Sequence, residues 1–164
     1  MVKKQNTVSL SYLANGKKKF YGKRRNTMTI FKVHFYAYVI GGADFLHSFF
    51  STVACRLEGG AWGSRYSSIM NSLYQGELAP EAVPSALCEL AEIQKKLKGF
   101  PPKDVVWDID DLSKQPPWKD NISGDITDLS DYFVTSGGED FITLFFRTLK
   151  KAEELGEPLK IETL

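Results

Sequence analysis

The chain has 164 residues, of which 43% are hydrophobic and 13% aromatic, enough for one proper core and one domain. No apolar run approaches the roughly 20 residues needed to span a bilayer, and the lysine-rich start lacks the apolar block and cleavage site of a secretory signal. The expectation is a soluble, cytoplasmic protein with two free, buried thiols at Cys55 and Cys88.

The formal net charge of +1 is unevenly spread. Residues 1–27 hold eight Lys and Arg and no acid, which leaves 13 of the 21 bases against all 20 acids, a balance of −7 for residues 28–164. Taken literally, residues 1–27 are a disordered basic arm for nucleic acid or an acidic partner. A second reading is favoured. The run Lys23-Arg24-Arg25-Asn26-Thr27-Met28 can be encoded by DNA carrying a bacterial ribosome-binding sequence just before ATG. Met28 would then be the native start and the arm a mis-assigned extension, so no nucleic-acid partner is expected.

From Ile30 the chain alternates, with Phe31, Val33, Phe35, Ala37 and Val39 on one face, predicting a half-buried strand that ends at Gly41-Gly42. Asp44 is the expected N-cap of a mostly buried helix carrying Phe45, Phe49, Val53 and Leu57, stopped by Glu58-Gly59-Gly60. A short helix around Ile69 and Leu73 follows, then a proline-bearing connection over 78–84. A second helix spans roughly 85–98, with Leu87, Leu90 and Leu97 at helical spacing, closed by Gly99 and Pro101-Pro102.

Strands are expected over 105–109 and 132–135, with a long loop between them, and a third helix over 139–155. That helix has acids at its start and Lys150-Lys151 towards its end, as the helix dipole prefers. A final edge strand covers 158–163. The layout is α+β: one domain over residues 28–164, with about three main helices on one face of a small mixed or antiparallel sheet.

Catalytic signatures are missing from the sequence. It has no phosphate-cradling glycine loop, no GxSxG, no HExxH and no CxxC, and its only histidines are His34 and His47. The aspartates between Asp108 and Asp131 offer hard oxygen ligands, yet the calcium-loop spacing fails. Counting from Asp108, the fifth and sixth positions are Leu112 and Ser113; counting from Asp120, the third is Ile122. No catalytic residue, cofactor or metal site is expected.

The loop itself is the informative element, because loops this long in a compact domain are usually functional or disordered. Pro116-Pro117 stiffens it and Trp118 anchors it, either folding back or projecting outwards. Trp107 alternates with Val105 and Ile109 and reads as core. The residues nominated for partner contact are Asp108, Asp110, Asp111, Trp118 and Asp120, helped by Glu58 and Trp62.

The runs LHSFFSTVACRLEGGAWGSRY, SLYQGEL, FPPKDVVWDIDDLSKQPPWKDNIS and LSDYFVTSGG resemble a bacterial family, immunity protein family seventy of polymorphic toxin systems. The likeness covers most of residues 28–155 and leaves out the arm. It implies a small cytosolic protein that binds and blocks the toxin domain encoded beside it. An acidic domain suits the inhibition of a cationic enzyme, such as a nuclease, by steric and electrostatic occlusion. Two rival readings stay open: a small metal-binding protein or enzyme built on the Asp108–Asp120 loop, and a nucleic-acid binder using the arm. Homodimerisation is also left open.

Overall fold

The computed structural model describes residues 9–12, 18–21 and 27–164. Strands β1 (Ser9–Tyr12) and β2 (Lys18–Tyr21) pair with each other in an antiparallel two-stranded sheet. The other residues of the basic arm, and with them the expectation of a disordered or mis-assigned start, lie outside the described residues.

The long alternating segment is a hairpin and not one strand. Strand β3 (Thr29–Val33) turns at His34 and Phe35 into β4 (Tyr36–Gly41), with Val33 opposite Tyr36. His34 takes the positive φ that such a two-residue turn needs, a conformation His adopts more readily than most non-glycine residues. The turn reassigns the faces. Phe31 and Val33 are fully buried, whereas Phe35 is 87% exposed and Val39 lies on the open side. Tyr36 and Tyr38 share the inner face and lie beneath the cationic side chains of Lys151 and Arg147.

Strands β5 (Glu77–Leu78) and β6 (Leu159–Thr163) complete an antiparallel sheet of order β4-β3-β6-β5. The last strand is therefore interior, not the expected edge, and β5 falls where only a connection was expected.

Three helices build the rest: α1 (Ala43–Leu57), α2 (Val83–Leu97) and α3 (Phe141–Leu155). The apolar stripes of α1 and α3 meet the sheet through a cluster of rings in which Phe31 touches Phe141 and Phe145, and Phe49 touches both of those. Each buried Phe of this kind contributes roughly 1.5–3 kcal/mol through removal from water. Helix α2 packs across α1 and α3 with Leu90, Ile93 and Leu97 inwards.

Helix ends follow local chemistry. Asp140 caps α3 by accepting from the Thr143 amide at 2.7 Å, and Gly156 ends it in the left-handed conformation. Gly42, not Asp44, occupies the cap of α1; the Asp44 carboxylate accepts from the adjacent Phe45 amide. Cys55 and Cys88 are free thiols as expected, but Cys55 is only half-buried and Cys88 is exposed.

The expected strands flanking the long loop are not strands. The segment after Asp104 runs along a helix, which has no backbone ladder to offer. Side chains of α1 stand in for it: Thr52 Oγ1 donates to the Val106 carbonyl and accepts from its amide, while Ser51 Oγ accepts from the Ile109 amide. At the far end, Val134 and Asp140 form a single antiparallel bridge. Val106, Trp107, Tyr132 and Phe133 are buried all the same.

Candidate functional site

Helix α1 is apolar over most of its surface, so its buried polar groups are conspicuous. His47 lies about one turn before the adjacent Ser51 and Thr52, and all three serve the segment that follows Asp104. The His47 side chain is 13% exposed and sits between two partners, with Nδ1 2.9 Å from the Tyr74 hydroxyl and Nε2 3.2 Å from Asp108 Oδ1. A carboxylate only accepts, so Nε2 carries the proton and Nδ1 accepts from Tyr74.

Asp108 is 5% exposed and uses both oxygens. Oδ1 also accepts from the Asp110 amide at 3.0 Å, and Oδ2 takes the Lys114 ammonium at 2.7 Å. A buried carboxylate is tolerated only with such charge-assisted partners. Trp62 stacks beside His47 with ring centres 6.1 Å apart and meets Tyr74 edge-on at 4.7 Å. Its indole N–H donates to the Met70 carbonyl at 2.7 Å.

The other end of the acidic segment is aromatic. Trp118 folds back, meeting Trp107 edge-on at 5.3 Å, and its indole N–H donates to the Tyr132 hydroxyl at 2.9 Å. Burial raises the Tyr132 pKa; the Trp118 bond opposes that rise and Asp120 adds to it.

Asp110 and Asp111, between these anchors, and Asp120 and Asp125, beyond Trp118, are exposed. Asp111 accepts from both the hydroxyl and the amide of Ser113, at 2.6 and 3.2 Å, which holds its carboxyl below the usual range.

The nominated residues thus fall into two groups. Asp110, Asp111 and Asp120 face solvent. Asp108, Trp62 and Trp118 brace the segment from beneath, and Glu58 is turned inwards, accepting from the amides of Gly63, Arg65 and Tyr66 at 2.8–2.9 Å. Glu58 therefore holds the Gly59–Tyr66 turn. The sequence reading did not assemble His47, Tyr74 and Lys114 with Asp108. The one local signal was a histidine in the first turn of a mostly buried helix. His47, Asp108 and Asp110 each offer a metal-binding donor atom, all within 4.8 Å of one another. Among the described residues no helix is long and apolar enough to cross a membrane.

The fold and the site together are a small α+β domain that displays a braced acidic segment. The chain belongs to the family Immunity protein 70, whose model matches residues 31–161. No curated protein and no solved structure matches it.

Proposed function

We propose that this protein binds a cognate bacterial toxin domain in the cytoplasm and neutralises it without chemistry of its own, with the acidic segment as the toxin-facing surface. Membership of an immunity family supports the inhibitory role. The observation that carries the surface is the set of outward aspartates, Asp110 and Asp111 between the Asp108 and Trp118 anchors and Asp120 and Asp125 between Trp118 and its partner Tyr132. From Asp108 to Asp131 the chain carries seven aspartates against two lysines. Such a surface complements a cationic cleft like that of a nuclease, where it blocks phosphate access and speeds encounter.

The test is a pull-down of the toxin domain encoded beside this protein, with rescue of toxin-expressing cells. The paired substitution Asp110→Lys and Asp111→Lys is expected to weaken binding by at least about a hundredfold, since like charges at an interface cost several kcal/mol. Stability should change by no more than about 0.5 kcal/mol, because both residues are exposed. Unchanged affinity would remove this segment from the interface.

A further inference from the structure

We propose that His47, Asp108 and Asp110 form a binding site for one divalent transition-metal ion, of the zinc or manganese class, at the root of the acidic segment. The site goes beyond the toxin-binding reading and stands independently of it. Three features of the geometry support it.

The first is spacing. Two donors that share a tetrahedral ion at about 2.0–2.1 Å lie roughly 3.3 Å apart, and His47 Nε2 lies 3.2 Å from Asp108 Oδ1. The Asp110 amide donates to that same carboxylate, which brings the Asp110 side chain beside it, and the three donor atoms all fall within 4.8 Å.

The second feature is the outer shell. A metal-binding histidine needs its other ring N–H satisfied. The Tyr74 hydroxyl, 2.9 Å from Nδ1, can accept it once the tautomer reverses and Nε2 turns to the ion. That reversal moves one proton from Nε2 to Nδ1, and the Tyr74 O–H turns away.

The third feature is the charge already gathered there. Asp108, 5% exposed, holds the Lys114 ammonium on Oδ2, so this carboxylate is built to face a cation. Lys114 is half-exposed and can withdraw into solvent. An ion and Lys114 would then compete for one carboxylate. One imidazole nitrogen with two carboxylate oxygens suits zinc or manganese better than magnesium or calcium, which prefer oxygen alone.

The competition makes the site testable with variants of opposite sign. The full chain, stripped with chelator, is titrated calorimetrically with Zn²⁺ and with Mn²⁺, and its melting temperature is followed in parallel. Wild type is expected to take up one ion and melt higher. His47→Ala should lose the ion, and Asp110→Asn, an exposed change that spares the fold, should weaken binding at least tenfold. Lys114→Met should tighten it. No uptake by the wild type, or uptake that Asp110→Asn leaves unchanged, would overturn the site. Weakening in Lys114→Met would overturn the competition on which it rests.

Discussion

At its Asp108 end the acidic segment is fastened by a polar contact to His47, with Lys114 closing back on Asp108 from within the segment; at its Trp118 end it is fastened by rings, Trp107 and Tyr132. The polar fastening is directional, fixing where the neighbouring Asp110 and Asp111 point. The aromatic one removes apolar surface from water and tolerates small shifts. One end therefore sets the geometry of the exposed charges, while the other supplies more of the stability that keeps the segment on the domain.

Substitutions can break that division. The largest expected effect is at the aromatic end, where Trp107→Ala removes a buried indole and should cost about 3–5 kcal/mol in thermal or denaturant unfolding. A loss under about 1 kcal/mol would show that the rings there carry little. Asp108→Ala should cost about 2–3 kcal/mol, because it strips charge-assisted bonds from His47 and the Asp110 amide while Lys114 returns to water. That variant should also lower toxin affinity more than Trp107→Ala does at temperatures where both remain folded. Equal losses of affinity would erase the distinction between the ends. Trp118→Phe keeps most of the ring contact and loses one bond to Tyr132, so about 1 kcal/mol is expected from unfolding curves.

The smallest effect is acidic. The Ser113 bonds depress the Asp111 pKa, so their contribution is present above the ordinary carboxylate pKa and fades as pH falls through the lowered value. An NMR titration should place the Asp111 midpoint below that of an unperturbed aspartate, and Ser113→Ala should move it upwards.

How much of this was legible in the sequence depended on the range of the interactions. The three helices were readable because their apolar residues recur within a turn, and their ends carry glycine, proline or a capping acid. The β3–β4 hairpin was misread because alternation passes unbroken through His34 and Phe35, with neither asparagine nor glycine to mark a turn. The segment 105–109 reads as a strand because Val105, Trp107 and Ile109 alternate, whereas the buried residues are the consecutive Val106, Trp107 and Asp108, held against a helix by side-chain bonds and not by a ladder. At the site, Asp108, Asp110, Trp62 and Glu58 were singled out by type and context. Their grouping was not visible, since His47 is separated from Tyr74 by 27 positions and from Asp108 by 61. No local period reports contacts at that range.

The interior place of β6 has a consequence for how the protein is made. Strand β3 forms early in the chain, but one of its two neighbours is Leu159–Thr163, whose other neighbour is β5. On a ribosome, β3 and β4 can close as a local hairpin within microseconds of emergence. The sheet that joins β3 to β5 must wait for the final strand, and until then the edge of β3 that faces β6 lacks its backbone partner. Synthesis at about 5–20 residues per second makes that wait several seconds long. The four-stranded sheet is thus complete only after translation has run through Thr163.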